Sequence, residues 1–370
     1  MSYVDILDIA VGGHRVSVGE LPVLWYNASL TELGWAADVV CRTKHPERYR
    51  TYVVDRNINY TNICVSGCKF CAFYRKPWDP DGYVLSVDEV LEKVREAVNL
   101  GATQIMLQGG LHPLLRLEYH ETLFSEIKQA FDVWIHSLSA PEIVHLASVE
   151  GMSVRSVIER LARAGLNSIP GGGAEILDDS VRRRVSPEKC STQEWLSVMR
   201  CAAELGLRAT ATMVIGLGES VDERVAHLDR IRRLQDETDV FTAFIPWTFQ
   251  PSNTKLGGET LGGHEYLATL ALSRLFLDNF DNVQASWVTQ GNLIAQLALR
   301  FGANDLGGTM IEEKVVAAAG AKYRLGEAEL ISLIHNLGYD AAQRSTNYEL
   351  IKLHPLSKGE DTLCRLEHRR

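Results

Sequence analysis

Strand-like and helix-like segments alternate from about residue 51 to about residue 309, and that alternation leaves the chain very few architectures. Eight stretches are apolar, β-branched or turn-bounded as strands require: TYVVDRNINY, TQIMLQGG, VWIHSLS, NSIPGGGAE, ATATMVIGLGE, FTAFIPWTFQ, NVQASWVTQG and GANDLGG. Helical spacing fills the gaps. In SVDEVLEKVREAVNLG, Val87, Val90, Leu91, Val94 and Val98 share one face. Ser86 with Glu89 forms a capping-box pair at its start, and Gly101 stands where a helix ends. Ser191 with Glu194 and Ser220 with Glu223 repeat the start signal. Strand then helix, about eight times over, predicts an α/β fold: a parallel (β/α)8 TIM-type barrel, with an open doubly wound sheet as the alternative. Residues 1–50 read as a helical lead-in, 51–309 as the barrel and 310–370 as a C-terminal extension packed on it, with a strand near RSTNYELIK.

A barrel has a functional direction, because the loops that follow its strands converge on one face. Here those loops are polar or glycine-rich: a cysteine cluster, then QGGLHP, SLSAPE, GGGAE, GLGES, TFQPSNT and TQGN. Composition narrows the partners. A net charge of −9 and a pI near 5.7 argue against nucleic acid or an anionic membrane surface. The start, MSYVDILDIAVGG, lacks a basic leader, and no apolar run approaches the roughly 20 residues of a membrane span. These features predict a cytoplasmic protein without membrane insertion.

Three of the seven cysteines, Cys64, Cys68 and Cys71, fall within ICVSGCKFCAF, while Cys41, Cys190, Cys201 and Cys364 are scattered. An odd, clustered set is a poor disulfide framework. A closed zinc site would take four ligands, and no second cysteine pair stands at zinc-site spacing. A [4Fe-4S] cluster held by three thiolates leaves one iron open to a small molecule. A zinc-binding module, an iron-sulfur electron carrier and an enzyme all remain open on this reading, although a glycine-rich barrel mouth suits an enzyme.

The CX3CX2C spacing, with Phe70 before the third cysteine, resembles the radical S-adenosylmethionine (SAM) superfamily. That resemblance implies a [4Fe-4S] cluster on Cys64, Cys68 and Cys71, SAM consumed as cosubstrate, and a 5'-deoxyadenosyl radical that removes an unactivated hydrogen. It also implies SAM contacts at Gln108, Gly109 and Gly110, at Ser139 and Glu175, at Phe70, and at Gly216 and Gly218 of the GLGE stretch. The Glu of the superfamily's Gly-Gly-Glu element is missing after Gly110, which leaves backbone carbonyls for the SAM ammonium. Over almost the whole chain, DRNINYTNICVSGCKFCAFYR, FTAFIPWTFQP, QASWVTQG and LRFGANDLGGTMIEE resemble the futalosine enzymes of menaquinone synthesis and the related deazaflavin-cofactor synthases. Within that group they are most similar to the ring-closing branch, with the aminofutalosine-forming branch as rival. The resemblance then implies dehypoxanthine futalosine as substrate, hydrogen removal from its sugar C4', radical addition to its benzoate ring, and a flavodoxin- or ferredoxin-type reductant.

Simpler readings exist for each residue taken singly. Ser139 in SAPE reads as a helix cap, Glu175 as a solvated helix start, Phe70 as core, the glycines at 171–173 as a tight turn, and Arg182–Arg184 as a solvated face. The benzoate carboxylate needs a cationic or hydrogen-bonding partner and the ring proton needs a base. Asp305 and His112 are the catalytic candidates, with His136, Gln290 and Asn304 also near the expected mouth.

Overall fold

The computed structural model describes residues 1–356. Three helices open the chain, α1 (Tyr3–Val11), α2 (Leu21–Asn27) and α3 (Leu30–Lys44), and the serines before α1 and α3 each close a capping box. The first barrel strand is split into β1 (Tyr49–Val53) and β2 (Asp55–Asn59). There follow α4 (Val87–Asn99), β3 (Gln104–Gln108), α5 (Leu117–Ala130), β4 (Trp134–Ser137), α6 (Ala140–Glu150), α7 (Val154–Ala164) and β5 (Ser168–Ile169). The second half contains α8 (Asp179–Val185), α9 (Thr192–Glu204), β6 (Arg208–Ile215), α10 (Val221–Thr238), β7 (Phe241–Thr248), α11 (Gly263–Phe276), β8 (Asn282–Val283), α12 (Trp287–Ala298) and β9 (Asp305–Gly308). Beyond it lie α13 (Val315–Ala318), α14 (Glu327–His335) and a hairpin of β10 (Asp340–Arg344) and β11 (Leu350–His354).

Strands β2 to β8 form one parallel sheet in sequence order. The circle closes through β9, which pairs in parallel with β1 and bridges β8's end at Gln284↔Asp305. Counting the split first strand once, eight parallel strands surround a lumen, the TIM-type barrel the alternation predicted. Buried apolar side chains from strands and helices form one continuous core around it. The capping-box serines Ser86, Ser191 and Ser220 start α4, α9 and α10 as read from the sequence.

Three local readings need correction. TYVVDRNINY changes partners at Val54: below it β1 pairs with β10, above it β2 pairs with β3. NSIPGGGAE pairs only at Ser168–Ile169, because its glycines turn the chain instead of extending it. NVQASWVTQG pairs only at Asn282–Val283 and is helical from Trp287, inside α12. The strand expected near RSTNYELIK is β11 of the C-terminal hairpin, which starts at Leu350 after β10 ends at Arg344. Beside β1, this hairpin carries its tip to the end of the barrel opposite the cysteine loop. Cys364 lies outside the described residues.

Candidate active site

The cysteine loop is clamped from several sides. Cys64 N–H donates to the Arg75 carbonyl at 2.8 Å, Val65 N–H to the Leu111 carbonyl at 3.0 Å, and Lys69 N–H to the Val185 carbonyl at 2.8 Å. Arg75 also turns its guanidinium onto the carbonyls of Ala72, Phe73 and Tyr74. Gly110 is packed so closely against the loop that a Cβ there would lie 2.2 Å from the Ile63 carbonyl oxygen and 2.8 Å from Cys64 Cβ. Cys64, Cys68 and Cys71 are all free thiols; Cys68 is buried, and the other two are partly exposed. Burial pushes Cys68 up to about 11 and raises Cys71, with Lys189 opposing both shifts. A cationic iron cluster would reverse that shift, since metal-bound cysteine is thiolate. The donor set therefore fits an iron-sulfur cluster held by these three side chains.

Next to the loop are the residues that the resemblance marks for SAM. Glu175 is buried, not solvated, and its φ of 40° is an uncommon left-handed value for a residue with a Cβ. Its Oε1 accepts a hydrogen bond from Lys189 Nζ at 2.8 Å, Arg182 lies 3.7 Å from Oε2, and Oε2 has no hydrogen-bond partner. An orphaned carboxylate oxygen near Cys68 suits a cationic ligand. Phe70 packs at the core's edge with Lys189 Nζ 5.4 Å from its ring centroid. Gly109 N–H donates to Glu142 Oε1 at 2.8 Å, and Gly110 N–H to the Thr61 carbonyl at 3.0 Å.

Glu142, in the first turn of α6, also accepts from the Tyr60 hydroxyl at 2.7 Å and from both the backbone N–H and the hydroxyl of Ser139. Ser139 is thus the N-cap of α6, as its simpler reading had it. Gly216 N–H is taken by Glu219, and Arg184 donates to the Gly218 carbonyl, so the GLGE turn is braced by its own neighbours. Arg182 is buried, donating to the carbonyls of Gly173, Ala174 and Cys190 instead of forming a solvated face.

Inside the barrel lies a cavity of about 210 Å³. Alternate strand residues face it, as the period of two requires: Val53, Asp55 and Asn57, then Gln104, Met106 and Gln108. Trp247, Trp287 and Ile245 give it an apolar wall, and Gly171 and Gly172 open it toward Gln108. Asp55 is held by a turn after β9. Thr309 Oγ1 accepts from Asp55 N–H at 3.1 Å, Met310 N–H donates to Asp55 Oδ1 at 2.9 Å, and Gln104 Nε2 lies 3.3 Å from Oδ2. A Cβ at Gly308 would sit 2.2 Å from Asp55 Oδ1, so a side chain there would push the carboxylate off the Met310 N–H. Burial pushes the Asp55 carboxyl up to about 6, with the Met310 N–H and Arg344 opposing. Asn57 Oδ1, also buried, has no partner.

The residues named for catalysis fall elsewhere. His112 Nδ1 accepts from Leu114 and Leu115 N–H at 3.1 and 3.0 Å, which makes it a turn brace away from the cavity lining. Asp305 is fully buried behind the lumen wall and ion-paired to Arg344, with Nε to Oδ2 at 2.5 Å. Asn304 is consumed by Arg274, Val283 and Asn282, and Gln290 by Thr248. His136 does face the lumen, its Nδ1 2.6 Å from Ser168 Oγ, and burial pushes it down to about 3. Sequence reasoning missed Asp55, Asn57, Arg344 and Tyr348; the alternation of DRN within the first strand was the available signal for the first two.

Three free cysteines on a clamped loop after the first strand, beside a partly polar barrel lumen, fit an enzyme that carries an iron-sulfur cluster at the barrel mouth. The chain belongs to the radical SAM superfamily: that family's model matches residues 58–231, and the CofH/MqnC C-terminal region matches residues 238–356. It is 45% identical, over 95% of its length and 96% of the relative's, to cyclic dehypoxanthine futalosine synthase of Halalkalibacterium halodurans. It is 46% identical to the protein of that name from Streptomyces coelicolor, over 94% of this chain and 89% of the other. A 5-amino-6-(D-ribitylamino)uracil–L-tyrosine 4-hydroxyphenyl transferase from Methanopyrus kandleri is 41% identical over 85% of this chain and 89% of its own. The [FeFe]-hydrogenase maturase HydG of Carboxydothermus hydrogenoformans shares the fold, with a TM-score of 0.74 at 17% identity over 94% of this chain and 80% of that one. Radical SAM enzymes use a [4Fe-4S] cluster and SAM. Among the described residues, no helix is long and apolar enough to cross a membrane.

Proposed function

We propose that this chain converts dehypoxanthine futalosine to its cyclic form in menaquinone synthesis. The observation that carries the reading is the near-full-length likeness to two cyclic dehypoxanthine futalosine synthases. Cys64, Cys68 and Cys71 would hold the cluster, and Glu175, Gln108, Phe70 and the carbonyls of Gly109 and Gly110 would hold SAM. Bound there, the pair would supply the means of removing an unactivated hydrogen, here that on the sugar C4'. The chain's own residues then do the positioning. Trp247 and Trp287 pack against an aromatic ring, the barrel wall excludes water, and sugar carbon and ring are held within bonding distance. Asp55, raised toward neutrality and fixed by Met310, is the group suited to take the ring proton, and the electron lost with that proton as aromaticity is restored would return to the cluster. It replaces Asp305 and His112 in that role because it lines the cavity and they do not.

The same reading includes a cytoplasmic location and a flavodoxin- or ferredoxin-type reductant, and divides the chain into a lead-in of residues 1–50, a barrel of 51–309 and an extension of 310–370. An anaerobic assay tests it: reconstituted enzyme, SAM, dithionite and dehypoxanthine futalosine, with products followed by mass spectrometry. A product two hydrogens lighter, formed with equimolar 5'-deoxyadenosine, is expected. Deoxyadenosine without that product would move the assignment to the transferase-like or aminofutalosine-forming relatives.

A further inference from the structure

At the end of the cavity where β3 begins at Gln104, the C-terminal hairpin adds its tip to the lining. Arg344, Thr346 and Tyr348, spaced two apart at its tip, all line the lumen. Thr346 Oγ1 donates to Gln104 Oε1 at 2.7 Å, which ties the tip to the barrel wall. Tyr348 takes a φ of 65°, an unfavourable value for an aromatic residue, and its ring centroid lies 4.0 Å from the Arg344 guanidinium. Arg344 is buried and is the single Lys or Arg among the described residues that line the cavity. A guanidinium has five N–H groups. Nε and Nη2 donate to Asp305, and Nη1 donates to the Ser345 carbonyl. One N–H on each terminal nitrogen is therefore uncommitted. Gln284 Nε2 donates to the Tyr348 hydroxyl at 2.9 Å, which leaves that hydroxyl's own hydrogen to give.

We propose that Arg344, delivered through the barrel's closed end by the C-terminal hairpin and backed by Asp305, binds the substrate's aromatic carboxylate, with Tyr348 as a second donor. This rests on the reading of the substrate given above. A carboxylate at the hairpin tip sets the ring deep in the lumen and the sugar toward the cysteine loop. Asp305 is then a positioning residue: it holds the guanidinium by two bonds and leaves one N–H on each terminal nitrogen for the carboxylate.

The test compares dehypoxanthine futalosine with its carboxamide analogue, binding being read by quenching of tryptophan fluorescence in SAM-loaded holoenzyme without reductant. A charge-assisted contact predicts a roughly 10- to 100-fold preference of wild type for the carboxylate. Because Arg344→Gln alone strands Asp305, the charge-neutral double variant Arg344→Gln/Asp305→Asn is used, and its preference is expected to fall within about threefold. Arg344→Lys, which keeps the ion pair but not the fork, serves if the double variant does not fold; a preference reduced about tenfold is expected. An unchanged preference in either folded variant overturns the assignment of Arg344 while leaving the cyclase reading intact. Wild type that neither binds nor converts dehypoxanthine futalosine overturns both.

Discussion

Replacing Gly110 with alanine tests whether the second barrel strand's end is the seat of the cysteine loop. The added methyl would lie 2.2 Å from the Ile63 carbonyl oxygen, 2.7 Å from its carbon and 2.8 Å from Cys64 Cβ. Two of those neighbours are backbone and the third carries a cysteine thiol, so no flexible side chain can swing away. Restoring ordinary contact needs a shift of about 1 Å in the loop. Overpacking of this kind costs about 1–3 kcal/mol, and at about 2 °C per kcal/mol the melting temperature should drop by roughly 2–6 °C. The displaced Cys64 should also lower cluster content. Iron and sulfide per chain after reconstitution, visible absorption and a thermal melt of the unreconstituted protein are the assays. Gly19→Ala, where a Cβ meets nothing within 4 Å, is the control. Full cluster content and an unchanged melt in Gly110→Ala would mean that the cysteine loop is not seated on the end of β3.

Other expectations follow from the same geometry. On the proposed reading the base is the Asp55 carboxylate, so cyclisation per SAM cleaved should rise as pH passes through about 6, with Arg344 and Asp305 the charged groups around it; the rise should be absent in Asp55→Asn. The raised carboxyl also means the folded chain keeps a proton that the unfolded chain releases, so this group's contribution to stability is present at low pH and is lost between about pH 4 and 6, by about 3 kcal/mol. Denaturant titrations should show that loss in wild type and not in Asp55→Asn. His112→Gln should keep cyclisation within about threefold, whereas Asp305→Asn, which strips a buried arginine of its partner, should cost about 3–5 kcal/mol in urea unfolding. Glu175→Gln should weaken SAM binding to the cluster-loaded enzyme by at least about tenfold, as charge-assisted contacts of about 1.5–3 kcal/mol imply; equal affinity by equilibrium dialysis would remove Glu175 from the SAM site.

The repeating strand-helix order, the helix starts at Ser86, Ser191 and Ser220, and the cysteine loop can all be read along the chain, because each depends on neighbours within a few residues. So can the gathering of polar loops at one end of the barrel. Which polar side chains face the lumen follows instead from contacts between distant segments. Asp305 lies on β9 as GANDLGG implied, yet pairing with Arg344, 39 residues on, takes it out of the cavity and leaves Asp55 to occupy it. His112 was drawn away by a local turn, and Ser139 by Glu142. The split of the first strand at Val54 was not legible, nor, beyond its strand near RSTNYELIK, was the hairpin that fills the barrel's far end. Both depend on β1 taking β10 as its neighbour where β2 takes β3, a pairing of Tyr49 with Asp340 across most of the chain that no local pattern encodes.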